Sequence, residues 1–314
     1  MNYLILGGTG YIGHAILEKL GSQYDNVYVF SRTEEKHRKT KTLFPFVKNI
    51  IGDVRNYDSV FQAIRTSAPG VIINASAMKM IDMCEDFIEE AIDTNINGMI
   101  NVNKALANYD NHLIKNLFIS TDKAPSPQNS YGMTKALAER LHINAQNKTR
   151  HIHNSVRYGN ILGSTGSIIP VYKEKLEKKQ NLLVTHPQMT RFFLHHSAAV
   201  EIIFAALQDG IGKKIFIPKI KSANIMDLAE CFIQAYQSEQ KIEVTKIRPG
   251  EKMHEVLFST EEANRIQVLQ DKFVLHDIKN SDSFKDTDKE FSSGDPANIM
   301  TKKELFSFLK EWAF

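Results

Sequence analysis

The stretch "ILGGTGYIGHAIL" constrains this chain more than any other part of its sequence. It sets Gly7, Gly10 and Gly13 between a short apolar run and an amphipathic one, close to the start of the chain. Glycine in that setting lets the backbone turn tightly and approach a pyrophosphate at a helix N-terminus. Taken alone, such a loop also fits a plain tight turn, and its weight comes from the pattern downstream of it. The runs "NVYVFS", "VKNIIGD", "GVIINAS", "LIKNLFIST" and "IHNSVRYG" continue the strand pattern opened by "NYLILG", with helical spacing between them. This alternation predicts parallel strands joined by helical crossovers. The expected fold class is therefore α/β, a Rossmann-like doubly wound parallel sheet.

"YDSVFQAIRTSA" reads as one of the crossover helices. "EEAIDTNINGMINVNKALANY" reads as a longer one, in which Gly98 predicts close packing or a bend. From about residue 164 the alternation loosens, although "SAAVEIIFAALQDG" and "MDLAECFIQAYQS" still read as helices. The expected organisation is a dinucleotide-binding Rossmann domain over 1–163. Residues 164–314 would mainly form a smaller, discontinuous substrate-binding lobe, with some segments returning to the first domain. The polar stretch "HDIKNSDSFKDTDKEFSSGD" predicts a mobile loop before the last helix.

Bulk properties narrow the function classes. The hydrophobic fraction of 42% is that of a globular protein, and 39 basic against 36 acidic residues leave a net charge of only +3. That balance argues against a nucleic-acid or membrane partner. Cys84 and Cys231 form no metal-ligand spacing and no disulfide framework, so no metal is expected and a reducing, cytoplasmic location is. No apolar run approaches the roughly 20 residues that span a bilayer.

The loop residues Gly7, Thr9, Gly10, Tyr11, Ile12 and Gly13 are the first cofactor candidates. At the end of the second strand an NAD site usually carries an acidic residue, whereas this chain reads "VFSRTEEK". Ser31 and Arg32 suit an additional phosphate, with Lys36 adding charge, so NADP is the expected cofactor. A charged surface run accounts for "EEKHRKTK" as well. Asp53 and Val54 end the third strand, where a carboxylate can accept from an adenine amino group. Asn74, Ala75, Ser76 and Ala77 close the fourth strand with small side chains that leave room for the nicotinamide half.

Tyr131 and Lys135 stand four residues apart on a predicted helix, so both project from one face. An ammonium near a phenol favours phenolate, which could take a proton from a sugar hydroxyl as hydride leaves the same carbon. A tyrosine four before a lysine is common by chance. Placed after the fifth strand and downstream of the glycine loop, the pair makes the chain resemble the extended short-chain dehydrogenase/reductases, and Thr121 then completes the hydrogen bonding to the substrate oxygen.

Asp122 and Lys123, in "STDKAPSPQNSYGMTK", are unnecessary for oxidation alone. The stretch is similar to that of UDP-N-acetylglucosamine 4,6-dehydratases of polysaccharide biosynthesis, in which a Thr-Asp-Lys triplet precedes Tyr-Gly-x-Thr-Lys. That resemblance implies UDP-N-acetylglucosamine as substrate, with oxidation at carbon 4, loss of water across carbons 5 and 6, and return of hydride to carbon 6. Asp122 would be the acid at the carbon-6 oxygen and a neutral Lys123 the carbon-5 base. The tyrosine in "SYGMTK" is that of the branch inverting carbon 5. The resemblance further implies that Lys79 and Asn95 face the cleft and that Lys79, Asn160, Ser167, Arg191, Arg248 and Glu251 hold substrate. It also implies a homo-oligomer. Tyr11 departs from the family, which often has serine there. Two alternatives stay open: a UDP-hexosamine 4-epimerase, which gives Asp122 and Lys123 no task, and a catalytically silent NADP-binding protein.

Overall fold

A computed structural model of the chain describes residues 1–24, 26–277 and 286–312. Its main sheet has nine strands: β1 (Tyr3–Leu6), β2 (Val27–Ser31), β3 (Lys48–Ile51), β4 (Val71–Asn74), β5 (Lys115–Ile119), β6 (Ile152–Val156), β7 (Lys214–Pro218), β8 (Ile266–Val268) and β9 (Lys272–His276). Their order is β8-β9-β7-β6-β5-β4-β1-β2-β3. The first seven run parallel, while β9 and β8 add an antiparallel edge. The alternation in the sequence thus predicts the fold class that is observed.

Numbered in chain order, the longer helices are α1 (Tyr11–Leu20), α2 (Glu34–Leu43), α3 (Tyr57–Ser67), α4 (Gly98–Ala107), α5 (Ser130–Ala145), α6 (Ile168–Glu177), α7 (His196–Gln208), α8 (Ile225–Ala235) and α9 (Lys302–Trp312). Both faces of the parallel sheet are covered, which is why β1 and β4 are buried along their whole length and apolar throughout, save for the polar Asn74 at the end of β4. Ile16, Leu17 and Leu20 of α1 pack with Val200 and Ile203 of α7 on one face. Val60 and Ile64 of α3 pack with Val102 and Leu106 of α4 on the other. A separate apolar cluster joins Tyr172 of α6, Leu228 and Phe232 of α8, and Leu305 and Leu309 of α9.

The long helix read around Gly98 is broken in a specific way. A short helix, Ile88–Ile92, passes into a π turn over Asp93–Asn97 before α4 begins. A Cβ on Gly98 would stand 3.0 Å from Val54 Cγ2, so the bend and the close packing occur together. Strands β7, β8 and β9 were not read from the sequence, and they draw residues beyond 163 into the main sheet. The centre of the expected mobile loop, 278–285, lies outside the described residues. Its flanks are regular, with His276 ending β9 and Phe291–Ser292 pairing with Val256–Phe258.

Candidate active site

Sheet register decides which loops meet. Leu6 pairs with Phe30 on one side and with Asn74 on the other, and Asn74 pairs with Phe118. The C-terminal ends of β1, β2, β4 and β5 therefore lie side by side, and the strand order reverses between β1 and β4. A crevice at such a reversal is where doubly wound sheets bind ligands. The glycine loop, Ser31–Arg32, Asn74–Ala77 and Thr121–Lys123 all issue from this edge.

The glycines have separable tasks. Gly7 has φ +74°, and a Cβ there would come within 2.8 Å of the Ala75 and Ser76 backbone. At Gly13 it would meet the Gly8 carbonyl at 2.3 Å, whereas at exposed Gly10 the nearest atom is the Gly7 carbonyl at 3.2 Å. Gly7 and Gly13 serve the protein's own packing, and Gly10 keeps the outer side of the turn clear. Helix α1 begins there with no side-chain cap and no acidic residue in its first turn. Its first amides and the positive end of its dipole are left to an external anion, which fits a dinucleotide pyrophosphate. Tyr11 donates its hydroxyl to the Leu162 carbonyl at 2.8 Å, tying the loop to the strand Asn160–Ile161 and its following turn. Ile12, next to it, is half-buried against the core.

At the adenosine end the residues that suggested an extra phosphate are already engaged. Thr9 donates to Ser31 Oγ at 2.9 Å, and the buried His37 ring lies 3.0 Å from the same oxygen. Arg32 stands 3.9 Å from the Asp53 carboxylate, while Lys36 is exposed. Burial raises the Asp53 pKa, but hydrogen bonds from Arg55 outweigh it and hold the carboxyl below its ordinary value. Val54 is buried against Gly98. On β4 the Asn74 side chain accepts from Ser76, shaping the Ala75–Ala77 turn.

The π turn carries Asn95 inward. Its side chain accepts from the Met78 amide at 2.9 Å, donates to the Met78 carbonyl at 2.9 Å and donates to Thr134 Oγ1 on α5 at 3.0 Å. One insertion in a helix thereby links the loop after β4 to the helix that bears Tyr131 and Lys135. Lys79, at the end of that loop, donates to the Thr165 carbonyl at 3.0 Å.

Helix α5 starts at the Asn129 cap, whose side chain accepts from the Gly132 amide at 2.8 Å. A Cβ on Gly132 would stand 2.6 Å from the Lys123 carbonyl, so the first turn is pressed against the Thr121–Lys123 loop. Lys135 is 3% exposed; its Nζ donates to the Ile119 carbonyl at 2.6 Å and lies 3.9 Å from the Phe118 ring centre. Burial pulls its pKa down to about 7, against the opposing charge of Glu139. Burial pushes the Tyr131 phenol up to about 12, with the Lys123 charge and the Thr121 hydroxyl pulling the other way. Lys123, which the helix spacing did not point to, is thus a charge that favours the Tyr131 phenolate.

Lys123 is itself bracketed. Its Nζ lies 3.0 Å from Asp122 Oδ1 and 3.3 Å from Glu255 Oε1. Burial disfavours the ammonium, but the two carboxylates outweigh burial and Arg191, and its pKa is raised well above the lysine range. The two carboxylates favour an ammonium at position 123, whereas the neutral amine expected there is favoured by burial and by Arg191. Thr121 donates to the same Asp122 oxygen at 3.0 Å. Arg191 stands 3.6 Å from Glu251 and 3.9 Å from Glu255, and Arg248 reaches Glu251 at 3.0 Å. Asn160 pairs with Phe193 beside this cluster, and Ser167 caps α6 with its buried hydroxyl making no hydrogen bond among the described residues. Glu255 and Lys252, 3.6 Å apart, were missed by sequence reading, although both lie inside "IRPGEKMHE". No cluster of three or more metal-ligating side chains exists among the described residues.

Comparison with known proteins fixes the family. Residues 3–277 match the family described as polysaccharide biosynthesis protein. The chain belongs to that family. It is 36% identical to the UDP-glucose 4-epimerase of Rickettsia massiliae over 281 residues, covering 86% of this chain and 81% of that protein. The crystal structure of Pen from Bacillus thuringiensis superposes with a TM-score of 0.91 at 33% identity, covering 99% of this chain and 98% of that one. UDP-glucuronic acid 4-epimerase from Bacillus cereus, in complex with UDP-glucuronic acid and NAD, shares the fold at TM-score 0.72 and 17% identity over 99% of each chain. These likenesses set the chain among the epimerases and dehydratases of sugar nucleotides, without singling out a UDP-N-acetylglucosamine dehydratase.

They also correct the cofactor. Five solved structures that share the fold, each at 20% identity or less, are described with NAD, not the NADP expected from Ser31 and Arg32. The physical reason is local: Ser31 is occupied by Thr9 and His37, and Arg32 faces the Asp53 carboxylate. Among the described residues no helix is long and apolar enough to cross a membrane.

Proposed function

We propose that this chain is an NAD-dependent 4-epimerase of a UDP-hexose, amino sugars included. The observation that carries this reading is the closed ion-pair set at Lys123, held between Asp122 and Glu255 at 3.0 and 3.3 Å. Elimination across carbons 5 and 6 needs a free base there, and the resting geometry offers an ammonium instead. Epimerisation needs only a proton acceptor at the carbon-4 oxygen; Tyr131 would take that role as phenolate, a form that burial opposes and that the Lys123 charge and the Thr121 hydroxyl favour. Bound NAD supplies the hydride acceptor. Gly7 to Gly13 would take its pyrophosphate, and Asn74–Ala77 would leave space for its reacting ring. Arg191, Arg248 and Glu251 would hold the UDP portion, so residues 1–163 would mainly serve the dinucleotide and 164–314 mainly the sugar nucleotide. The name of the Rickettsia relative supports the same reading.

A second reading, 4,6-dehydration of UDP-N-acetylglucosamine, is favoured by one observation. Asp122 Oδ2 and Glu255 Oε2 are buried and make no hydrogen bond among the described residues, so each has a free lone pair for a proton in transit. Incubation with UDP-glucose or UDP-N-acetylglucosamine and NAD, followed by proton NMR and mass measurement, separates the two. Epimerisation leaves the mass unchanged and inverts carbon 4, and Lys123→Ala then lowers turnover, by loss of the charge that favours the Tyr131 phenolate, without abolishing it. Loss of one water, abolished by Lys123→Ala, would replace the first reading with the second.

A further inference from the structure

Glu255 enters the proposed chemistry only as a neighbour of Lys123, yet its backbone is firmly held. It is 3% exposed. Its amide donates to Ser293 Oγ at 2.8 Å, and its carbonyl accepts from the Ser293 amide at 2.8 Å. Ser293 Oγ in turn lies 2.8 Å from Thr190 Oγ1, beside Arg191. The backbone at position 255 is therefore fixed by a buried hydroxyl network, independent of any charge. From that anchor the carboxylate reaches across to the loop after β5, the loop that carries the reacting groups.

The groups facing Lys123 are few and of opposed sign. Asp122 stands beside it on the same loop, Tyr131 faces it from α5, Glu255 comes from the segment before Val256–Phe258, and Arg191 comes from the strand Thr190–Leu194. Lys252 lies 3.6 Å from Glu255 Oε2 and donates to the Pro125 carbonyl at 3.2 Å. Asp122 is a chain neighbour and moves with Lys123. Glu255 is, among the described residues, the carboxylate contact to Lys123 supplied from the substrate side of the cleft, and Arg191 joins it to Glu251 and Arg248, the residues assigned to the UDP portion.

We propose that Glu255 is a positioning residue through which the substrate side of the cleft holds the Lys123 amine in place and determines whether it carries a proton. With Glu255 engaged, Lys123 stays an ammonium, able to stabilise developing negative charge at Tyr131 and unable to act as a base. When a sugar nucleotide draws Arg191 to its phosphates, Glu255 loses a competing cation and its hold on Lys123 tightens. The inference rests on reading the cleft as a sugar-nucleotide carbon-4 site, but it concerns the state of one side chain and is measurable without turnover.

The test is a pH titration of the full-length protein labelled with nitrogen-15 at lysine Nζ, with the Lys123 resonance assigned by its loss in Lys123→Met. In the wild type Lys123 is expected to stay protonated to at least pH 10. In Glu255→Gln its midpoint should fall by at least one pH unit, a ten-fold loss of proton affinity, and Glu255→Asp should recover at least half of that shift. Thermal unfolding of each variant identifies any that has lost its fold, and Glu255→Asp keeps the comparison available if Glu255→Gln has. A midpoint that is the same in the wild type and in the folded variants overturns the proposal. If the wild type shows no carbon-4 turnover but the midpoint moves as stated, the proposed function fails and the role of Glu255 stands.

Discussion

Arg157, at the end of β6, grips Glu139 on α5 with two hydrogen bonds, Nε to Oε2 at 2.8 Å and Nη2 to Oε1 at 2.5 Å. Its remaining edge takes Glu262 at 2.7 and 2.8 Å and the Leu257 carbonyl at 3.1 Å. Two buried charges and the half-buried Glu262 thus join the helix carrying Tyr131 and Lys135 to the segment that follows Glu255. Removing the arginine alone leaves two carboxylates uncompensated. Arg157→Met should cost about 3–5 kcal/mol in denaturant unfolding. Replacing all three residues together by apolar ones of similar volume should cost much less.

Gly7 and Gly10 should respond differently to the same added methyl group. Gly7→Ala places a Cβ 2.8 Å from backbone atoms at φ +74°, so it should lower the melting temperature by several degrees. Gly10→Ala meets only the Gly7 carbonyl, at 3.2 Å. It should fold normally and weaken NAD binding at least ten-fold by calorimetry.

The corrected cofactor assignment carries its own check. Direct titration should give tighter binding of NAD than of NADP, by at least ten-fold. Arg32→Ala should alter NAD affinity by less than about two-fold, since Arg32 is exposed and turned toward Asp53.

Acid should destabilise the fold through buried imidazoles. Burial pulls His142 down to about 4 and His153 well below its ordinary value, and the two rings lie 4.9 Å apart. Between pH 6.5 and 4 the unfolded chain binds protons at His142 that the folded chain refuses, so stability is full above 6.5 and is lost as pH falls through that window. For His142 the loss is on the order of 3 kcal/mol. Urea unfolding across this range should show it, and His142→Gln should flatten the slope.

Much of the fold was legible because parallel strands with both faces covered have little choice of composition: "NYLILG" and "GVIINAS" had to be continuous apolar runs. The glycine loop was legible for the same kind of reason, as Gly7 and Gly13 answer to backbone contacts that no side chain could share. Strand β7, "KIFIP", was missed because its pairing with β6 is set by a chain segment far away in sequence. Glu255 escaped notice because nothing local to "EKMHE" tells that its last residue faces Lys123. The direction of the Lys123 and Lys135 shifts was illegible too. Four-residue spacing shows that Tyr131 and Lys135 share a helix face, but not that Lys135 Nζ spends itself on the Ile119 carbonyl while the Lys123 charge favours the phenolate.

Two contacts between the reactive loop and the substrate side involve backbone carbonyls alone as acceptors: Asn129 donates to Gly250 at 2.9 Å and Lys252 to Pro125 at 3.2 Å. Carbonyl oxygens are indifferent to which side chain their residue bears. Position 250 is held to glycine for a separate reason, since Gly250 has φ +74° and a Cβ there would stand 2.9 Å from Asn129 Cβ; the grip itself asks only for main-chain oxygens, leaving neighbouring side chains free to adapt to new sugars without unseating the reactive tyrosine.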